Sequence, residues 1–143
     1  MRVRLPRSAL KFCLRWSRIA AMSPHYAHGK ICYLQIPTAD IARSVAFYQA
    51  IFGWKTRVRR DGSTAFDDGV GEVSGAWVTG RPSSPTPGLL LFIMVDDVAA
   101  SSKMVEASGG KIVTALDRNA PEWFALFADP DGNVLGLYQE RSG

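Results

Sequence analysis

One pattern is written twice in this chain of 143 residues, and it limits the available folds more than any other feature. A short β-type run leads to an aspartate, a helix with a buried stripe, a glycine stop and then further strands. In the first copy, Ile31-Cys32-Tyr33-Leu34-Gln35-Ile36 reads as a strand closed by Pro37. Thr38 or Asp40 caps a helix running to about Phe52, with Ile41, Val45, Tyr48, Ile51 and Phe52 on one stripe, and Gly53 stops it. Strands are then expected at Trp54 to Arg59, Thr64 to Phe66 and Glu72 to Val78. After the proline-rich loop Arg81 to Gly88, the order recurs. A strand at Leu89 to Val95 precedes a helix capped by Asp96 or Asp97 and ended by Gly109-Gly110. Strands follow at Lys111 to Leu116, Trp123 to Ala128 and Val134 to Gln139, the last two joined by the turn Asp129-Pro130-Asp131-Gly132-Asn133.

At an offset of 57 residues, Asp40, Ala42, Ser44, Ala50 and Gly53 meet Asp97, Ala99, Ser101, Ala107 and Gly110. Each half is too small to bury a core alone. The expected fold class is α+β, with paired βαβββ modules, about 30–80 and 88–140, forming an open U-shaped mixed sheet with helices on the convex face. The concave face is then free to hold a ligand.

The formal net charge of +4 first suggests an anionic partner. Its distribution removes most of that suggestion and leaves nucleic-acid or membrane-surface binding only to the N-terminal tail. Arg2, Arg4, Arg7, Lys11, Arg15, Arg18 and Lys30 stand in the first thirty residues, which contain no Asp or Glu. All 13 acidic residues follow, against ten basic ones, so residues 31–143 carry −3. Residues 1–29 read as a basic N-terminal extension with a short amphipathic helix at Ser8 to Ala21. That extension is a targeting or surface-binding segment, a disordered tail, or an over-extended reading frame with Met22 as the natural start. The expected domain is 30–143, with neither nucleic acid nor membrane as its partner. No apolar run is long enough to span a bilayer. The two cysteines, Cys13 and Cys32, form no framework, which points to the cytoplasm, and Cys32 is expected in the core.

LQIPTADIARSVAFYQAIFGW resembles the first half of a vicinal oxygen chelate domain, the glyoxalase, bleomycin-resistance and extradiol-dioxygenase superfamily. VDDVAASSKMVEASGGKIV resembles its second helix with flanking strands, and FADPDGNVLGLYQ its closing hairpin. The resemblance covers residues 30 to 140 and implies paired modules in an open barrel, usually dimeric. It also implies a divalent ion held by His, Gln or Glu from strands of both halves, acting as a Lewis acid. The matching positions here are Ile31, the neighbourhood of Leu90, Gly136, and Ala76 or Trp77. None supplies a side-chain donor of the kind such an ion needs. No cofactor is therefore expected. A divalent metal enters only under an alternative reading, a metal-dependent lyase, isomerase or dioxygenase with Gln35, Glu72 or His28 as ligands.

Strand alternation places Tyr33 and Gln35 on the face away from the helices, if Leu34 and Ile36 pack beneath them. Phe92, Met94, Gly136 and Tyr138 share that face in the second module, and Trp77 is expected to contribute from the first. This surface suits a planar or amphipathic organic ligand. Plain core or dimer-interface packing competes as an explanation of Trp77, Phe92 and Met94. Gly136 either leaves room for a ligand or permits a close strand approach. Turn chemistry accounts for Asp129, Asp131, Gly132 and Asn133, and a solvated edge for Arg57, Arg59 and Arg60. The expected function is small-molecule binding by a homodimer without the usual metal site.

Overall fold

The computed structural model describes residues 26–141. The expected tail helix, Cys13, Met22 and His25 lie outside the described residues. The chain divides between Cys32 and Tyr33, and residues 26–32 form a segment of their own. Within it the Lys30 N–H donates to the Ala27 carbonyl at 3.2 Å. Cys32 is an exposed free thiol rather than the expected core residue. The reason is local: the first strand begins only at Tyr33, so Cys32 precedes the ladder.

From Tyr33 onward two βαβββ modules follow one another. The first consists of β1 (Tyr33–Pro37), α1 (Ile41–Phe52), β2 (Lys55–Val58), β3 (Thr64–Asp67) and β4 (Ser74–Val78). The second consists of β5 (Phe92–Met94), α2 (Val98–Ala107), β6 (Lys111–Thr114), β7 (Trp123–Ala128) and β8 (Val134–Gln139). The strands form two four-stranded mixed sheets, ordered β1-β4-β3-β2 and β5-β8-β7-β6. Each sheet has one parallel pairing, β1 with β4 and β5 with β8, which the intervening helix makes possible. The α+β architecture of paired modules is the expected one, and the sheets close into no barrel.

Both helices start where the aspartates place them. The Asp40 carboxylate accepts from the Arg43 N–H at 3.1 Å, and the Asp97 carboxylate from the Ala100 N–H at 3.0 Å. Gly53 ends α1 in the left-handed conformation, with φ of 65°. The Gln139 side-chain oxygen also accepts from the Val98 N–H at 3.0 Å, fastening the start of α2 to the last strand.

The helix-facing sides of both sheets meet the two helices in one continuous core. Its first part is aromatic. Trp54 lies between Tyr48 and Phe66, stacked on both with centroids 4.9 and 4.6 Å apart. Phe66 continues to Trp77 at 4.8 Å. Phe47 and Phe52 carry the packing into the second module, reaching Phe127 at 6.1 and 6.0 Å. Because α1 is covered on two sides, its buried set includes Ser44 and Phe47 beyond the single stripe expected. Gly75 is required here: a Cβ there would stand 2.3 Å from the Phe66 ring and 2.4 Å from the Leu34 carbonyl oxygen.

The Asp129–Asn133 turn does more than close a hairpin. Asp131 accepts from the Ala39 N–H and the Arg43 guanidinium at 2.8 Å, and from the Thr38 and Ser44 hydroxyls at 2.9 and 3.2 Å. Buried Asp129 accepts from the Tyr48 hydroxyl and the Asn133 amide, both at 2.9 Å. The same Asn133 amide donates to the Pro37 carbonyl at 2.8 Å. One turn of the second module thus fastens the end of β1 and the start of α1 in the first. Turn chemistry alone does not account for these partners.

Candidate functional site

The faces of the two sheets turned away from the helices carry the candidate site. In the first sheet the register aligns Gln35, Ala76, Ala65 and Arg57 in one row, and Tyr33, Ser74, Asp67 and Lys55 in the next. Residues in register share a face. Tyr33 and Gln35 are accordingly exposed, while Ile36 is buried against the helices. Ile36 pairs with Trp77, which places Trp77 among the helix-side core rings at 2% exposure. The sequence expectation put it on the open face. A one-residue difference in register exchanges the faces, and nothing local in β4 specifies its pairing with β1.

Two small residues, Ala65 and Ala76, form the floor of this open face, with long polar side chains around them. The Arg57 guanidinium makes a forked pair with Asp67, both contacts at 3.1 Å. The Ser74 hydroxyl donates to the same carboxylate at 2.6 Å. These donors, Arg57 foremost, hold the Asp67 carboxyl below its ordinary range. The Arg59 guanidinium lies over the Tyr33 ring, 5.2 Å from its centroid. Arg57 is exposed on β2, the edge strand of this sheet, as the solvated-edge expectation has it. The spacing of two between Arg57 and Arg59, opposite small residues on neighbouring strands, is the signal that identifies them as face residues.

The second sheet presents a different surface. Phe92 pairs with Gly136 and Met94 with Tyr138, and these continue to Leu126 and Phe124 on β7. Phe92 is 46% and Met94 63% exposed, so an apolar strip faces outward. The Phe92 ring lies over Gly136, where a Cβ would approach it to 2.2 Å, and meets Phe124 edge-on at 5.9 Å. The space that Gly136 leaves therefore belongs to a neighbouring ring. Gly136→Ala should push that ring outward with a stability loss of about 1–3 kcal/mol. A second change, Phe92→Ala, should abolish most of the further loss, measured as coupling in a double-mutant cycle of chemical unfolding. The Tyr138 hydroxyl donates to Glu122 at 2.9 Å. This hydrogen bond, with the neighbouring carboxylates, pushes its pKa up to about 12, so it is a hydrogen-bond donor at neutral pH.

The residues present do not fit the divalent ion that the fold implies. The matched positions hold Ile31, Leu90, Gly136 and Ala76 or Trp77. Gln35 pairs across the ladder with Ala76, and Glu72 lies outside the strands, in the bend that precedes β4. His28 belongs to the separately described segment. Among the described residues, no group of three or more His, Cys, Asp and Glu is arranged to hold a metal.

Residues 30–137 match the family model of the Glyoxalase/Bleomycin resistance protein/Dioxygenase superfamily. The chain belongs to that superfamily. A glyoxylase-like domain-containing protein of Didymella fabae is 30% identical over 127 residues, which cover 77% of this chain and 93% of that protein. The anthracycline biosynthesis protein DnrV of Streptomyces peucetius is 29% identical over 133 residues, 80% of this chain. The match spans about half of that relative, 48% of its length. Among solved structures, TnmS3, an antibiotic binding protein from Streptomyces sp. CB03234, is similar with a TM-score of 0.61 and 27% identity. That similarity covers 82% of this superfamily member and 100% of TnmS3. Among the described residues, no helix is long and apolar enough to cross a membrane.

Proposed function

We propose that this chain binds a small organic molecule on the open faces of its sheets, as a homodimer, without the metal usual in its superfamily. One observation carries the reading. The positions matched to metal ligands hold residues without suitable donors, while the open faces carry aromatic, thioether and guanidinium groups. Such surfaces bind organic molecules through burial and a few placed polar contacts. The antibiotic-binding description of TnmS3 and the anthracycline-biosynthesis description of DnrV support an organic small molecule as the ligand. The exposed strip of Phe92 and Met94 is the kind of apolar surface that a second copy covers. A free thiol at Cys32 suits a reducing compartment such as the cytoplasm.

The deciding experiment is metal analysis of the purified protein, alone and after exposure to Ni, Zn, Mn or Fe, beside a titration with daunorubicin. The expected result is saturable binding of the anthracycline by protein carrying no stoichiometric metal. One tightly held ion per subunit would overturn the metal-free reading. Sedimentation velocity should give the mass of two chains.

A further inference from the structure

We propose that the open face of the first sheet recognises an ionised oxygen on an aromatic ligand. Arg59 supplies the charge, Gln35 a neutral hydrogen bond, and Tyr33 the ring against which the pair is organised. This deepens the small-molecule reading above and rests on it.

The two guanidinium groups of this face are in different states. Arg57 is engaged, forked onto Asp67. Arg59 is half-buried, yet among the described residues its guanidinium has no hydrogen bond and no ion pair, only the Tyr33 ring beneath it. Asp61 and Asp67 feel its charge, but neither carboxylate contacts it. Asp61 accepts from the Ser63 hydroxyl at 2.6 Å and from its N–H at 2.9 Å, and Asp67 is held by Arg57 and Ser74. The acidic groups nearby are already directed elsewhere. A half-buried guanidinium without a protein acceptor is free to take an incoming carboxylate or phenolate, because its planar fork matches two oxygens.

Gln35 stands two residues from Tyr33 on the same strand face, about 7 Å along β1. Its amide has no hydrogen bond among the described residues and is exposed. An oxygen bound by Arg59 above Tyr33 is thus within reach of a second donor. Ala65 and Ala76, small and buried, lie beneath these groups. A guanidinium lying over a phenol ring offers its other side to a second aromatic plane, which favours an aromatic over an aliphatic acid.

The test uses the full chain and 2-naphthoate, followed by isothermal titration, with 2-naphthamide as the uncharged counterpart. Binding of the carboxylate is expected to exceed that of the amide about tenfold, and Arg59→Gln should abolish that preference. Arg60→Gln removes the same charge from an exposed neighbouring residue and should change affinity less than about twofold. Gln35→Leu should weaken the carboxylate by a smaller factor than Arg59→Gln. Equal losses in the Arg59 and Arg60 variants, or no binding of 2-naphthoate to the wild type, would overturn the proposal. If the amide binds as tightly as the acid and both survive Arg59→Gln, the ionised-oxygen assignment fails while the small-molecule reading stands. Failure of that reading shows separately, in the daunorubicin titration. Unchanged thermal unfolding of each variant establishes that the fold is intact.

Discussion

Replacing Asp129 with alanine should lower stability by about 3 kcal/mol, because it strands buried donors rather than removing one surface contact. The carboxylate accepts from the Tyr48 hydroxyl and the Asn133 amide at 2.9 Å, and from the backbone N–H groups of Asn133 and Asp131 at 2.9 and 3.0 Å. Tyr48 is fully buried in the core shared by the modules, so its hydroxyl has no water to turn to. Burial, with the negative charge of Asp129 beside it, holds the Tyr48 pKa well above the ordinary phenol value. The phenol is therefore a hydrogen-bond donor at neutral pH. Urea unfolding checks the loss, and a Tyr48→Phe, Asp129→Ala double variant should lose less than the sum of the singles.

The neighbouring Asp131 gives the same clasp an acid limit. Desolvation opposes its ionisation, but donation from the Ala39 N–H, the Thr38 hydroxyl and Arg43 outweighs this and leaves its pKa below the ordinary value. A group whose pKa is depressed by folding stabilises the native state above its unfolded pKa, about 4 for aspartate. That contribution is lost as pH falls from about 4 through the lower native value. Stability of the wild type should therefore decline in this window. Asp131→Asn should be less stable at neutral pH and should lose this part of the acid decline, as read from urea midpoints at successive pH values.

Trp77→Ala should cost about 3–5 kcal/mol, the range for removing a large aromatic from a packed core. The ring is 2% exposed and touches Phe66 and Tyr48, with centroids 4.8 and 5.8 Å apart. Among the described residues, its buried indole N–H has no hydrogen-bond partner. Trp77→Phe should therefore be much milder than Trp77→Ala, since it keeps a ring and removes an unsatisfied donor. Thermal unfolding of both variants decides the point. A residue of the open face would behave otherwise, losing ligand affinity at nearly constant stability.

Trp77 and Gln35 show where sequence reasoning reached the site and where it stopped. Alternation within β1 correctly separates Gln35 and Tyr33 from Ile36, because hydrophobic residues on one strand carry their own parity. The face of Trp77 depends on which residue of β4 stands beside Ile36, and that pairing joins segments about forty residues apart. Arg59 is less legible still. Its distinctive feature is the absence of an acceptor among the described residues, a property of its surroundings rather than of its residue type.

The order of elements, their caps and stops, and the superfamily to which they belong were all determined by the sequence. Each rests on local chemistry: an aspartate accepting from the first turn, a glycine entering a left-handed conformation, a proline ending a ladder. Only the tertiary structure decided which strand faces share a row, that the Phe92 ring takes the space above Gly136, and that the last hairpin turn fastens one module to the other. These outcomes are set by register and long-range packing, in which the same local pattern can be satisfied with either face turned inward.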